Sequence, residues 1–262
     1  EKSGCVYMLA ENYPFTRGCL EMKKLYKGGT LGRAIFSEGE YVHPMSPTEN
    51  EKYTNPETNG QYHWRRYIPC TYYSSHALAP IMYITETMPK YVIGMASPDT
   101  KDQIEKFKKL RTDACGIMML QMSDGSIVRV NGSSIMAPKG NWYRVSVTFG
   151  GVETVRGAES NVRLTYNSWA MPEGAEPSKT YEAGWKNASE GEKAAKCGHS
   201  GSDYFVVKYF VEAVLDGKKN FFDVYRATAM SAVAILAWRS VLNKSKRYAI
   251  PNFKSERSRK KW

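Results

Sequence analysis

The chain has 262 residues, 42% of them hydrophobic, which suits one large domain or two small ones and excludes a disordered chain. No apolar run nears the ~20 residues of a membrane helix, and "AMSAVAILAW" (229–238), the longest, reads as a buried helix. The net charge of +11 is in part local, the tail "FKSERSRKKW" (253–262) carrying five Lys/Arg against one Glu, and with no RNP, zinc-finger or helix-turn-helix pattern beside it, it points to a solvated tail or a subunit contact rather than to nucleic acid.

The opening "EKSGCVYMLAENY" reads as a helix end at Glu1 to Gly4, then a buried strand at Cys5 to Leu9, as at the close of a βαβ unit. It implies a fragment whose N-terminal part lies elsewhere, so that residues 1–14 are the remnant of an α/β domain. "TRGCLEMKKLYKGG" (16–29) predicts an amphipathic helix capped by Thr16, with Leu20 and Leu25 inward, stopped by Gly28-Gly29. A strand follows over 31–44 and ends at Pro44. Residues 45–62 are polar and rich in Asn, Pro and Thr, a loop long enough for a lid or rim. "HALAPIMYITETM" (76–88) predicts a helix and "PKYVIGMAS" (89–97) a strand.

From there the pattern is β. Residues 116–134 form a hairpin with Asp-Gly at its turn, residues 141–157 a second around Gly150-Gly151, and 161–167 an extension of it. Residues 176–198 read as mostly loop. Helices over 203–217 and 223–243 close the domain, the first with Phe205, Phe210 and Val214 inward and Ser200 or Ser202 at its cap. The expected fold class is α+β: a large, mixed, mostly antiparallel open sheet with helices on one face, spanning 15–250, preceded by the last strand of an absent Rossmann domain and followed by the basic tail 251–262.

The five cysteines (Cys5, Cys19, Cys70, Cys115, Cys197) are odd in number and show no CxxC spacing, and the four histidines form no i, i+4 pair. No metal site and no disulfide framework is expected, and a reducing cytoplasm fits. "GGTLG" (28–32) follows a helix, so it is not the strand–glycine turn–helix of a nucleotide fold.

"AENYPFTRG", "KGGTLGRAIFSEGEYVHP", "YYSSHALAPI", "GHSGSDYFVVKYFVEAV", "DGKKNFFDVYRATAMSAVAILAWRSVLN" and "YAIPNF", in this order and spacing, resemble the glucose–fructose oxidoreductase, inositol dehydrogenase and MocA-like family of NAD(P)-dependent enzymes, and most its glycoside-acting branch. The resemblance implies a C-terminal open-sheet domain that binds a sugar or glycoside and often mediates homo-oligomers. It also implies an N-terminal Rossmann domain that holds NAD or NADP and a Glu-Lys-Pro lysine; neither its glycine-rich turn nor that motif is in this sequence.

By the same resemblance His76 falls at the histidine of a Thr-His-Gly-Leu-Gly-Pro string, with Ser75, Ala77 and Ala79 as departures, and Tyr73 stands three residues before it as a tyrosine does there. Tyr41 and His43 match a Tyr-x-His of the substrate pocket, and Trp64 and Arg65 a Trp-Arg pair. His199 and Asp203 match a Gly-His-Gly-Gly-x-Asp string in which Ser200 replaces a glycine. Asn12 ends the last Rossmann strand, near the nicotinamide or the sugar. Oxidising a carbinol needs a base for the hydroxyl proton, and a histidine suits it. Plainer roles stay open: His76 as a helix cap, Tyr73 as a core-edge tyrosine, His43 as a strand end, His199 as a cap, Trp64 and Arg65 as a stacked pair, and the domain as a non-catalytic oligomerisation or carbohydrate-binding module.

Overall fold

The structure, a computed structural model, describes residues 3–44, 46, 48, 68–106, 113–133 and 138–260. Nine strands form one sheet: β1 (Ala34–Val42), β2 (Pro89–Pro98), β3 (Asp113–Met122), β4 (Ile127–Ser133), β5 (Gly140–Val147), β6 (Gly150–Val155), β7 (Ala158–Tyr166), β8 (Ser178–Glu182) and β9 (Tyr248–Ala249). Their order is β8-β7-β6-β5-β1-β4-β3-β2-β9. Only β1 and β4 run parallel; every other neighbouring pair is antiparallel. The hairpins expected from "SDGS" and Gly150-Gly151 are β3–β4 and β5–β6, so the mixed, mostly antiparallel open sheet is as the sequence predicts.

The helices are α1 (Arg17–Lys27), α2 (Ser75–Thr85), α3 (Lys101–Lys106), α4 (Ala188–Ala194), α5 (Ser202–Leu215), α6 (Val224–Leu242) and α7 (Glu256–Arg259). Because side chains alternate across a strand, the register puts Gly39, Val130, Met118 and Gly94 on one face of the sheet. On that face α2 crosses β1 so closely that a methyl group on Gly39 would overlap the Ala77 carbonyl. Likewise α6 crosses β2 at Gly94, whose N–H donates to the Ser240 hydroxyl at 2.9 Å. α1 lies on β6 and β7, with Gly18 against Thr154 and Glu159. Met82, Met118, Met122, Leu120, Val92 and Met230 fill the space between.

The other face of the central strands carries no helix among the described residues. Glu38, with only 4% of its surface exposed, is gripped there by Arg129 at 2.6 Å and by Arg144. Arg156 bonds Glu40 at 2.9 Å and lies 3.9 Å from the Trp142 ring centre. Beside these, Met95, Ile117, Met119 and Ile127 are exposed.

Several expectations fail for identifiable reasons. Residues 4–9 form no strand, and Cys5, Val6 and Tyr7 are exposed; an apolar run becomes a strand only beside a sheet edge, and here Leu9 N–H and the Tyr7 carbonyl meet Phe222 and Asn220 instead. The stretch 176–198 is not mostly loop: it holds the edge strand β8 and helix α4, whose N-cap Asn187 accepts from Glu190 N–H at 2.7 Å. Thr16 precedes α1 but turns its hydroxyl back to the Tyr13 carbonyl. Neither Ser200 nor Ser202 caps α5; Gly201 does, at φ +90°, and Ser202 donates to the His199 carbonyl. Phe210 and Val214 face outward, 43% and 52% exposed, while Phe205 and Ala213 are buried.

Gly39→Ala should cost about 3 kcal/mol or more, since the backbone of α2 must give way, lowering the melting temperature by roughly 6–12 °C. Gly184→Ala, where added carbon meets nothing within 4 Å, should stay within about 0.5 kcal/mol. Thermal melts followed by circular dichroism compare them; equal, small effects would show that α2 is not seated by Gly39.

Candidate active site

Four pieces of chain converge at one end of the helix-covered face. Tyr41 and His43 stand at the C-terminal end of β1, and His43 N–H bonds the Ser133 carbonyl. Tyr73 lies on the 3-10 turn Cys70–Ser74, and His76 on the first turn of α2. His199 and Asp203 flank the start of α5. The fourth piece is the turn Tyr13–Phe15 with Glu11 and Asn12 ahead of it, held by Phe15, whose buried ring packs on Tyr83 and Tyr209 with centres 5.2 and 5.0 Å away.

His76 is the centre of the cluster. Its ring centre is 4.6 Å from that of Tyr13, 4.8 Å from Tyr41 and 5.2 Å from Tyr73. Tyr73 stacks on Tyr41 at 5.3 Å, and His43 stacks on Tyr41 at 5.8 Å. The His76 Nδ1 lies 2.7 Å from Glu11 Oε1, and Glu11 is buried. The His76 carbonyl accepts the Tyr143 hydroxyl at 2.8 Å. No contact engages Nε2 among the described residues.

A second group adjoins it. Asn12 Nδ2 donates to Asp203 Oδ1 at 2.8 Å, and His199 Nδ1 lies 2.8 Å from Asp203 Oδ2. The Tyr13 ring bridges the groups, 6.2 Å from His199. The "GHSGSD" string explains this locally. A side chain on Gly198 would come within 2.6 Å of Asp203 Oδ2, so glycine lets the carboxylate fold back. His199, Ser200 and Gly201 have φ +50°, +55° and +90°, so the chain coils left-handed into α5, and Ser200 holds a conformation that glycine takes more easily.

Electrostatics divide the cluster by role. Burial pushes the Tyr41 phenol far up, helped by Tyr13 and Tyr73, and burial raises Tyr13 too, against its bond to Asn141. Both stay protonated near neutral pH and act as hydrogen-bond donors, not bases. Burial works to raise Asp203, but the Asn12 and His199 bonds outweigh it and hold the carboxyl below its usual value. Among the described residues no three His, Cys, Asp or Glu side chains are grouped to hold a metal ion, and no helix is long and apolar enough to cross a membrane.

Of the residues singled out from sequence, Asn12, Tyr41, His43, Tyr73, His76, His199 and Asp203 come together; Trp64 and Arg65 lie outside the described residues. Sequence reasoning missed Glu11, Tyr13 and Tyr143. For Glu11 and Tyr13 a signal existed: both flank Asn12 in "AENYP", a carboxylate and a tyrosine directly after an apolar run. Tyr143 looks like any inward tyrosine of a strand.

Residues 85–261 match the family model described as "Glycosyl hydrolase 109, C-terminal domain". A glycosyl hydrolase family 109 protein of Stenotrophomonas maltophilia (strain K279a) is 22% identical over 296 aligned residues, which take in 96% of this chain and 62% of the relative. The chain therefore spans less than two thirds of that relative's length. Among solved structures, a levoglucosan dehydrogenase in complex with NADH and L-sorbose superposes with a TM-score of 0.71 at 15% identity, covering 95% of this chain and 66% of its own. An aldose-aldose oxidoreductase from Caulobacter crescentus complexed with glycerol gives 0.69, 15%, 95% and 65%. At such identities the likeness concerns the fold. The match of 85–261 takes in His199 and Asp203 and stops short of His76, and it covers more than half of the chain: by it the protein belongs to the family of glycosyl hydrolase 109 C-terminal domains.

Proposed function

We propose that this chain is the substrate-binding part of an NAD(P)-dependent oxidoreductase acting on a sugar or glycoside, with His76 as acid and base. The observation that supports it most is the setting of the His76 ring, walled by Tyr13, Tyr41 and Tyr73 and with no partner for Nε2 among the described residues. Aromatic faces suit the apolar faces of a sugar ring, and phenols supply donors for its hydroxyls. In the forward direction Nε2 takes the carbinol hydroxyl proton as the C–H bond breaks and the hydride departs, leaving a carbonyl. Tyr73, beside His76, orients the reacting hydroxyl or shares its proton. Tyr41, His43, His199 and Asp203 line the substrate side.

When bound, a nicotinamide dinucleotide supplies the acceptor for that hydride. The described residues suit one end of it. Asn12 spends its amide nitrogen on Asp203, which leaves the side-chain carbonyl to accept from a carboxamide. The phosphates find no cradle here, since Gly28 and Gly29 follow α1 rather than a strand. We assign that task to a nucleotide-binding half outside these residues, since the chain spans only 62% of its glycosyl hydrolase family 109 relative, with 15–250 forming the sugar-binding domain.

The family match favours a second reading with the same groups. Transient oxidation at C3 acidifies the C2 proton, so that His76 and Tyr73 could serve elimination of the C1 substituent as base and acid. The open face, with Met95, Ile117, Met119 and Ile127 beside the Glu38 and Glu40 ion pairs, is proposed as a homo-oligomer interface.

Three outcomes are expected. In the protein carrying its nucleotide-binding half, His76→Asn should lower turnover about 10²–10⁴-fold, followed by nicotinamide absorbance and by release of the sugar's substituent in parallel; near-normal turnover leaves His76 a packing residue on the first turn of α2. The 262-residue chain alone should take up no NAD saturably in calorimetry, and micromolar binding would overturn the division of labour. Ile117→Lys with Met119→Lys should weaken self-association about 100-fold in sedimentation; a wild-type chain that stays monomeric at tens of micromolar removes the interface.

A further inference from the structure

The structure assigns Glu11 as the positioning residue of His76: its buried carboxylate holds the proton on Nδ1 and so keeps the Nε2 lone pair for chemistry. The inference rests on the acid/base reading of His76 and deepens it.

Glu11 is 5% exposed, and burying a carboxylate is costly unless a partner meets it. Its Oε1 has that partner at 2.7 Å, in the Nδ1 of a ring 65 residues further along the chain. A carboxylate has no proton to give, so whatever the charge of the ring, this contact is made with the proton on Nδ1. A free imidazole prefers its proton on Nε2. Glu11 therefore selects the less favoured neutral tautomer, the one in which Nε2 can accept a proton from a substrate hydroxyl. A cap or packing histidine has no need of that selection.

The surroundings leave the ring little other freedom. Tyr143 pins the His76 carbonyl at 2.8 Å, the next residue, Ala77, is pressed against Gly39, and Tyr13, Tyr41 and Tyr73 surround the imidazole. Glu11 is equally fixed. Two residues on, the Tyr13 ring packs on the same imidazole, and Phe15 anchors the turn in the core. One short segment thus delivers both a carboxylate and an aromatic wall to His76.

Long-range ¹H–¹⁵N spectra of the histidine-labelled 262-residue chain test this at about pH 8.5, two units above the ordinary imidazole value. His76→Asn identifies the signal. Expected is a protonated Nδ1 and a pyridine-type Nε2. A wild-type ring protonated on Nε2 overturns the inference, with no variant needing to fold. Glu11→Ala should return the ring to the Nε2–H form; an unchanged tautomer in that variant, if folded, also overturns it. In the protein with its nucleotide-binding half, Glu11→Gln should lower kcat about 10–100-fold, with KM changed less than about twofold. The nitrogen signals do not depend on turnover. Near-normal turnover in His76→Asn would sink the acid/base reading and the inference with it, whereas an Nε2–H ring beside a large loss of turnover in His76→Asn sinks the positioning role and the choice of Nε2, leaving His76 essential.

Discussion

The close crossing of α2 over β1 at Gly39 sets the rest of the site. Glycine there leaves room for the Ala77 carbonyl, so the helix lies directly on the sheet. Tyr41 is two residues further along β1 and therefore on the same face. That brings the His76 ring to 4.8 Å from the Tyr41 ring, and Tyr73 into a stack on Tyr41 at 5.3 Å. The alanines that replace glycines in the sequence after His76 are consistent with this: Ala77 and Ala79 are fully buried, and the small side chain costs no separation. Two periodicities, 2 for the strand and 3.6 for the helix, thus meet at one glycine and fix a histidine on an aromatic floor.

That floor is chemically specialised by burial. Phenols removed from water hold their protons more tightly, because the phenolate loses more solvation than the phenol. Tyr41 and Tyr13 therefore keep their protons near neutral pH and serve as hydrogen-bonding groups rather than as bases. Asp203 is held the opposite way, as a charged acceptor for Asn12 and His199. The same small region so contains protonated phenols and a fixed acceptor.

Much of the fold was legible in local chemistry. Asp-Gly in "SDGS" marks one reversal, and the paired glycines at 150–151 point to a second, whose turn falls just before them at Thr148-Phe149 with both glycines paired in β6. Where local chemistry was ambiguous the reading slipped. α5 is apolar almost all round, with Val207, Phe210, Val211, Val214 and Leu215 on one side and Phe205, Tyr209 and Ala213 on the other, so periodicity could not choose the buried side. Cys5 to Leu9 is apolar enough for a strand, yet a strand is a property of two segments, not one. Of the site, the resemblance gathered Tyr41, Tyr73, His76, His199 and Asp203, which lie far apart in sequence. It did not supply Glu11, whose partner is a ring 65 residues away.

The segment 11–13 shows why such a residue escapes a linear reading and still matters. Glu11 reaches the start of α2 through His76, while its neighbour Asn12 reaches the start of α5 through Asp203. Tyr13 touches both helices' histidines, at 4.6 and 6.2 Å. Three consecutive residues thereby tie together two helix ends that share no sequence neighbourhood, and Phe15 fastens the tie in the core. A shift of this segment would move the carboxylate behind His76 and the amide before Asp203 at once. His76 and Asp203 are therefore coupled in position by one rigid turn rather than by the sheet alone.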